Sequence, residues 1–443
     1  MREAFRASLI LGVTVLLAGC TVHPAGETEE RKAAGVAGAP FTTPHEKRAV
    51  AVLPESPSAD DLVRYALANN AELEARYWEW RSAIEQIPQD GTQTTNLAVF
   101  GGLDITNGST RLGNASLSVG NDPMSDIVLP PKLSAAARRA LENARAAGLR
   151  FRKAQFELRG KVLNAYADYA LQAELARLEE ANAQLIETTA MAVEAKNRAG
   201  GAGQQDILKV QNELDLSRND VANLRSLLAA AAARLNALLG RAADAPLAPR
   251  TGLPSTRPVA ADDATVLALV ANRNPELAAL AHEVSASKEG IGLARLQYVP
   301  DFSLTAGSDL AGVTQSLVGM VTVPVLRRQA IDAAVAQAEA NLRARESMRR
   351  QAANDLAGQV VMDLIIVRDA DRQLELFERT ILPRAEQAIG IARSSYEAGQ
   401  SSLSDLLDAR RSLIAIKRLV ANLRAVRVKR LTDLETVTAR PLE

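Results

Sequence analysis

Residues 396–409 read Tyr-Glu-Ala-Gly-Gln-Ser-Ser-Leu-Ser-Asp-Leu-Leu-Asp-Ala, and this stretch predicts a sharp reversal between two helices. Gly399 ends a long helical pattern, where glycine is common because it tolerates left-handed backbone angles. Ser402 lies three residues before Asp405, the spacing of a capping box that opens a new helix. The stretch is therefore predicted to be the tip of an antiparallel helical hairpin.

A second copy of this tip lies near Gly200. Gly200 corresponds to Gly399 and Asp206 corresponds to Asp405, in both cases at a separation of 199 residues (399 − 200 and 405 − 206). This agreement predicts that the chain contains a duplicated structural unit.

The helix after each tip carries a heptad seam, a row of apolar residues spaced by three and four. The two seams agree in phase at the same offset, and only Arg427 and Arg430 place charge where the first seam is apolar. Two unrelated helices would rarely agree in this way. The seam positions are Ile207, Val210, Leu214, Ser217, Val221, Leu224, Leu228, Ala231, Leu235 and Leu238, and then Leu406, Ala409, Leu413, Ile416, Val420, Leu423, Leu434 and Val437.

Two regions change from a helical period to the alternating period of strands, at about 96–121 and about 300–323. Each predicts a two-stranded hairpin, and such hairpins are not stable alone in water, so they must join a larger sheet. A short helix is predicted over 59–87, ending at Pro88. Pro383 predicts a kink in the second long helix.

The predicted fold class is mainly α with a small β part, in which each repeat runs short helix, β-hairpin, long helix and return helix. The first repeat spans 59–239, with its helical hairpin at about 134–239. The second spans 263–443, with its helical hairpin at about 326–437, and the proline-rich stretch 240–262 links the two.

The first 20 residues predict an export signal. Arg2 and Arg6 precede a short apolar run, and small residues lead to Cys20. The run resembles a bacterial lipoprotein signal, in which Cys20 is acylated and becomes the new N-terminus; the alternative is an ordinary signal peptide with an incidental cysteine. Thr21 after the cysteine favours the outer membrane. Residues 21–58 hold five prolines and predict an extended tether.

Composition excludes several classes of function. The 443 residues include 52 basic and 52 acidic side chains, so nothing indicates nucleic acid as a partner. Three histidines and one cysteine leave no set for a histidine/cysteine metal site or a disulfide framework. No phosphate-binding loop or Ser/His/Asp set is present, so we expect neither an enzyme nor a cofactor.

Two acidic residues of the tip, Asp405 and Asp408, have two interpretations. They lie off the heptad seam, three residues apart and on one side of the helix. An acid in the first turn is stabilised by the positive end of the helix dipole, which alone accounts for Asp405. Around an axis of several copies, both acids would instead form rings that select cations.

The duplicated layout, the Tyr-x-x-Gly tip, the Asp-Leu-Leu-Asp-Ala run and the Asn-Pro-Glu-Leu phrase at 274–277 resemble the TolC-like outer-membrane efflux family over about 59–437. The resemblance implies a homotrimer whose helices form a periplasmic α-barrel, continuous with a shared twelve-stranded outer-membrane β-barrel. It implies a periplasmic gate at Tyr396, Asp405 and Asp408. The tips that would dock an adaptor carry Gly200, Gly203, Asp206, Gly399 and Ser402.

The sequence departs from the family at Ser401, where the best-known member has an arginine that links to the neighbouring hairpin. The resemblance implies a passive exit duct for small molecules in a tripartite efflux or secretion system. Its partners would be a periplasmic adaptor, an inner-membrane pump and outer-membrane lipid, and its hairpins would open like an iris. The alternative is a periplasmic coiled-coil adaptor or structural lipoprotein without a pore. The duplicated strand pairs argue against this alternative.

Overall fold

The computed structural model describes residues 21–48, 52–93, 96–100, 103–106, 109–112, 116–120, 129–248, 252–253, 262–309 and 315–440. The predicted signal and Cys20 lie outside the described residues. Two compact units make up the chain: the first combines Met1–Ala39, Arg76–Phe151 and Glu276–Ala352, and the second combines Pro40–Ala75, Arg152–Pro275 and Ala353–Glu443. Each unit takes segments from both predicted repeats, and the repeat boundaries stay a prediction.

The order of elements matches the predicted class: mainly helical, with short strands at two places and with a long helix and a return helix after each. The helices are α1 (Glu27–Ala37), α2 (Ala59–Asn69), α3 (Ala71–Gly91), α4 (Pro130–Arg198), α5 (Gln204–Leu239), α6 (Asp263–Arg273), α7 (Pro275–Arg295), α8 (Arg328–Leu376), α9 (Leu382–Glu397) and α10 (Leu403–Thr438). The strands are β1 (Asn96–Phe100), β2 (Leu103–Thr106), β3 (Ser109–Leu112), β4 (Ser116–Gly120), β5 (Asp301–Asp309) and β6 (Gln315–Thr322).

Two strands from each repeat join in one sheet, as the instability of isolated hairpins predicted. Its order is β1-β4-β5-β6, and β2 and β3 form a separate antiparallel pair. The two halves meet where β4 and β5 run antiparallel, with Ser116 opposite Asp309 and Gly120 opposite Thr305. Strands β1 and β6 therefore form the two edges of the described sheet.

The extended tether predicted for 21–58 is wrong over α1. Three glutamates in its first turn match the positive end of a helix dipole, and Ala34 is fully buried. The Trp80 Nε1–H donates to Glu30 Oε1 at 2.8 Å, and the Trp80 ring stacks on Phe151 with centroids 5.7 Å apart. An aromatic cluster in the first unit thus holds a segment whose composition alone indicates a flexible linker.

The single helix predicted over 59–87 is also wrong, because the chain forms two helices that meet at Asn70 and continue past Pro88. Asn70 accepts from the Leu73 amide at 3.0 Å and thereby caps α3. Its Nδ2 donates to the Leu238 carbonyl at 3.0 Å. Pro88 lies within α3, where full burial of Ile84 and Ile87 offsets the lost backbone hydrogen bond.

The second repeat has an equivalent asparagine contact. Asn274 Nδ2 donates to the Val437 carbonyl at 2.9 Å, so each repeat ties its pair of short helices to the end of its return helix. The two asparagines are 204 positions apart (274 − 70), and both are buried. A buried side-chain amide needs a hydrogen-bond partner, so each of these bonds fixes where the short helices meet the return helix.

The two arginines that break the second seam pair with carboxylates of the second unit. Arg427 is buried and pairs with Asp371 of α8. Arg430 reaches both Asp363 and Asp433 at 3.3 Å. The second seam therefore keeps the phase of the first. At these two positions, ion pairs between α8 and α10 replace apolar contacts. The apolar cluster beside them contains Val266, Val270, Val360, Leu364, Val367, Leu431, Leu434 and Val437.

The kink predicted from Pro383 stays a prediction; just before this proline, a turn of π-helix at Phe377–Ile381 separates α8 from α9. Proline lacks the amide hydrogen that a regular helix needs and crowds the preceding turn, so one extra residue is accommodated there. Among the described helices, none combines the length and the apolar character needed to cross a membrane.

Candidate gate at the helical tips

Both tips have the same backbone construction. Gly200 and Gly399 have φ angles of 79° and 73°, in the left-handed region that favours glycine. The Gly200 amide donates to the Asn197 carbonyl at 2.8 Å, and the Gly399 amide donates to the Tyr396 carbonyl at 3.0 Å. A Cβ added at either glycine would meet no atom within 4 Å, so the backbone angle alone requires glycine there.

The return helices start differently in the two tips. Ser402 and Asp405 form the predicted capping box: Ser402 Oγ accepts from the Asp405 amide at 3.2 Å, and the Ser402 amide donates to Asp405 Oδ2 at 3.0 Å. At the first tip Gly203 has no side chain to contribute, and its amide donates to Asp206 Oδ2 at 3.4 Å. The second tip therefore has the more firmly capped return helix.

An apolar cluster joins the two tips. It contains Ile186, Ala190 and Val193 of α4, Val210 and Leu214 of α5, and Leu403 and Leu407 of α10, with Ala202, Ile207 and Tyr396 packed against it. The cluster takes residues from the heptad seam and from both hairpins. It therefore fixes the tips against each other within one copy of the chain.

Tyr396 lies on this cluster and also binds the first hairpin directly. Lys196 Nζ is 4.5 Å from the centre of its ring and donates to its carbonyl oxygen at 3.2 Å. Burial raises the pKa of the Tyr396 hydroxyl, and the nearby Asp206 charge adds to the effect. Of the predicted gate residues, Tyr396 is the one that the structure brings into contact with the opposite hairpin.

Asp405 is exposed, and its carboxylate serves the capping box. Hydrogen bonds from the Ser402 side chain and backbone lower the pKa of Asp405, so it is charged at neutral pH. Asp408 is also exposed, and its carboxylate accepts a hydrogen bond from Arg411 Nη1 at 3.2 Å. Within one copy of the chain, both acids lie exposed on the surface of α10.

Sequence reasoning missed the charged contacts between the hairpins. Arg418 of α10 pairs with buried Glu179 of α4 and reaches Asp220 of α5 at 3.2 Å. Glu179 also accepts from Ser217 Oγ at 2.6 Å. Ser217 is the one polar residue in the first seam, and it could have signalled a buried polar partner at that level.

No cluster of three or more histidine, cysteine, aspartate or glutamate side chains within the described ranges is arranged to hold a metal ion. The organised features of the tips are instead two glycine reversals, a capped helix start and exposed acids on one face.

The sequence profile of the outer membrane efflux protein family matches residues 266–440, which cover the second short helices, β5, β6 and the second hairpin. Residues 266–440 are thus similar to the outer membrane efflux protein family. The predicted resemblance to TolC-like efflux proteins is confirmed. The matched residues include the second tip with its capping box.

Two curated proteins related to this family extend the comparison. The cation efflux system protein CusC of Escherichia coli O157:H7 is 25% identical over 247 residues, 53% of either chain. The cobalt-zinc-cadmium resistance protein CzcC of Cupriavidus metallidurans is 24% identical over 324 residues, 70% of this chain and 73% of that protein. The match to CusC thus spans about half the length of that relative.

A solved channel shows the same fold over most of the chain. The outer membrane channel CmeC of Campylobacter jejuni superposes with a TM-score of 0.76, over 86% of this chain and 85% of CmeC, at 15% identity. At that identity the likeness concerns the fold, which extends to the first repeat as well as the part matched by the efflux family profile.

Proposed function

We propose that the chain is the outer-membrane exit duct of a tripartite efflux or secretion system, and not an enzyme. The observation that carries this proposal is the described sheet. Its edge strand β6 bears exposed apolar side chains on both faces: Val318 and Met320 are 60% and 43% exposed, and Val321 is 57% exposed. Apolar residues on an open edge need lipid and further strands around them.

Three copies of the chain would meet this need by closing their sheets into one twelve-stranded barrel. Closure gives β1 and β6 neighbours in adjacent copies, and it places every backbone polar group of the wall in a hydrogen bond. The long hairpins α4–α5 and α8–α10 would then surround a common passage on the periplasmic side. The lipid anchor would be Cys20, and a periplasmic adaptor would dock on the tips and connect an inner-membrane pump.

The gate of this duct would lie at the tips. In a trimer, Asp405 and Asp408 would supply up to six exposed carboxylates around the axis. Such a ring favours the passage of cations, and the repulsion among its negative charges opposes closure of the gate. Tyr396 would hold each second hairpin against the first through Lys196. Opening would require the second hairpin to leave Lys196 and the apolar cluster, which together hold it against the first hairpin.

The gate is tested with the double variant Asp405→Ala and Asp408→Ala in planar bilayers. We expect higher conductance, weaker cation selectivity and weaker block by multivalent cations. The matched control is the double variant Asp369→Ala and Glu375→Ala, which removes two exposed acids from α8. Wild-type selectivity and block in intact Asp405/Asp408 variant trimers would leave these residues as ordinary capping and surface acids.

The assembly is tested separately, by native mass spectrometry of the full chain in detergent. A trimer is expected because four short strands cannot close alone. A stable monomer would contradict the shared barrel and favour the coiled-coil lipoprotein without a pore. Because CusC and CzcC are named for cation efflux and metal resistance, metal-ion tolerance is the first export phenotype to measure.

A further inference from the structure

The duplication of the chain relates individual side chains of the first unit. Positions of α3 and α7 correspond at an offset of 204 (287 − 83), and positions of α4 and α8 correspond at an offset of 198 (338 − 140). Four such pairs line one cavity of this unit: Ala83 and Ser287, Gln86 and Gly290, Ala140 and Ala338, and Asn143 and Asn341. Corresponding positions of the two repeats therefore have equivalent surroundings in the fold.

The offset of 199 at the tips is one larger than 198, because the second repeat holds one extra residue in the π-helix turn at Phe377–Ile381. The two offsets thus describe one continuous correspondence along the long helices.

Within one copy, α4 of the first repeat contacts α7 of the second repeat through three pairs of polar side chains. They are Arg138 with Glu289 at 3.0 Å, His282 with Glu142 at 2.7 Å, and Arg150 with Glu283. Since α8 corresponds to α4 and α3 corresponds to α7, the equivalent contact joins α8 to α3. A closed ring of copies makes this contact between α8 of one copy and α3 of the next.

The face of α7 that meets α4 is covered, and the corresponding face of α3 is exposed. On α7, Ala286 lies one turn after His282 and is 5% exposed. Its counterpart on α3, Ser82 (286 − 204), is exposed. Trp78, the counterpart of His282 (282 − 204), is 49% exposed. The first unit thus leaves a large aromatic side chain uncovered where its counterpart contacts a neighbouring helix.

The corresponding faces of α4 and α8 differ in the same way. On α4, Ala146 lies one turn from both Glu142 and Arg150 and is 1% exposed. Its counterpart on α8, Ala344 (146 + 198), is exposed. Met348, the counterpart of Arg150 (150 + 198), is 55% exposed. Apolar side chains are thus uncovered on α8 as well as on α3.

The acids beside the tryptophan are balanced within their own copy. Glu79 accepts from Arg76 Nη1 at 2.9 Å. Glu85 accepts from Arg31 Nη1 at 2.9 Å and from Arg81 Nη2 at 3.2 Å. Paired charges around an exposed aromatic side chain are typical of the polar rim and the apolar core of a protein interface.

We propose that Trp78 of one copy packs against Ala344 and Met348 of the next copy, so that α3 and α8 join neighbouring copies. The inference rests on the trimer of the proposed duct and adds which helices meet in it. Contact between an aromatic ring and a methionine sulfur is favourable, and tryptophan is enriched among the side chains that contribute most to binding. The contact between copies is therefore apolar where its counterpart within the copy is ionic.

Cysteine cross-linking of the full-length protein in detergent tests which helices meet. The double variant Glu79→Cys and Met348→Cys places a thiol on each of the two faces. A short bismaleimide should link this pair into covalent dimers and trimers on a denaturing gel. The matched control is Arg150→Cys with Glu283→Cys, the corresponding pair within one copy, which should link inside single chains and run as a monomer. The single variants Glu79→Cys and Met348→Cys should give no linked chains, which controls for Cys20.

The contribution of the tryptophan is measured with Trp78→Lys by analytical ultracentrifugation in detergent. We expect the protein concentration at which half of the trimers dissociate to rise at least about tenfold, because a charge replaces a central aromatic side chain. The matched control is Val36→Lys on α1, at a position 80% exposed, which should leave trimer dissociation unchanged.

Three results would overturn the inference while leaving the duct in place. In the first, intact trimers form but the Glu79→Cys and Met348→Cys pair gives no covalent dimers. In the second, this pair links inside single chains. In the third, trimers of Trp78→Lys are as stable as wild type. If the wild-type chain forms no trimers, the proposed function and this inference fail together. The cross-linking leaves Trp78 unchanged and so does not depend on whether Trp78→Lys folds.

Discussion

Replacing Arg418 with methionine tests whether the buried ion pair between the hairpins stabilises the second unit. Glu179 is 2% exposed and Arg418 is 36% exposed. Removing one partner of a fully buried pair costs about 3–5 kcal/mol, because the other charge stays buried alone. Solvent screening at Arg418 reduces this, and we expect a loss of about 2–3 kcal/mol.

The pH dependence of the loss identifies its cause. Burial acts to raise the pKa of Glu179, but hydrogen bonds from Ser217, Asn182 and Arg418 outweigh it and lower the pKa below the ordinary value of 4.5. The wild-type contribution is therefore fully present above pH 4.5 and is lost only as the pH falls through the lower folded value. Without Arg418, burial should prevail and raise the pKa above that of the unfolded chain.

In Arg418→Met the destabilisation should consequently shrink as the pH falls from about 7 to about 5, because the folded state then takes up the proton more readily. Thermal unfolding followed by circular dichroism at several pH values measures this. At roughly 2 °C per kcal/mol, the melting temperature should fall by about 4–6 °C near neutral pH.

The matched control is Arg225→Met. Arg225 donates to Glu180 at 2.7 Å, but both side chains are exposed, at 67% and 40%, so its removal should cost less than about 1 kcal/mol. Equal effects of the two variants, or a loss at Arg418 that does not change with pH, would refute the assignment of a buried pair that stabilises the contact between hairpins.

Three further predictions concern the tips, the seam and the anchor. Gly399→Ala should lower the free energy of unfolding by about 1–2 kcal/mol because Gly399 has a left-handed backbone, whereas Gly390→Ala within α9 should raise it by about 0.5–1 kcal/mol. Chemical denaturation compares the two variants, and equal effects would contradict the backbone argument. Leu214→Asp should destabilise the first hairpin by several kcal/mol, while Leu216→Asp, at a position 64% exposed, should fold and export like wild type. Cys20→Ser should abolish incorporation of labelled palmitate, and equal labelling would exclude acylation at Cys20.

Local patterns in the sequence were sufficient to predict the tips and the seam. A glycine at a left-handed position and a serine three residues before an aspartate each act through their own backbone, so Gly399 and Ser402 were predictable. The seam phase was predictable because heptad spacing repeats over several turns. These features depend on contacts within a few residues or on a period.

Features that depend on distant partners were not predictable. The helix α1 forms where a flexible linker was expected, because Trp80 and Glu30 meet only in the folded unit. Pro88 lies within α3 because burial of its apolar neighbours outweighs its local preference. Likewise, the charges that link the hairpins, such as Arg418 and Glu179, are 239 positions apart (418 − 179), and nothing in either local pattern joins them.

Single-channel recording tests the central claim most directly. Purified full-length protein is added to a planar lipid bilayer, and current is recorded at fixed voltage with monovalent salt on both sides. An exit duct should insert with current steps of uniform size, pass cations in preference to anions and be blocked by multivalent cations added on the side of the tips. A protein that binds the bilayer through its lipid anchor but gives no current steps, in the presence of intact trimers, would contradict the account.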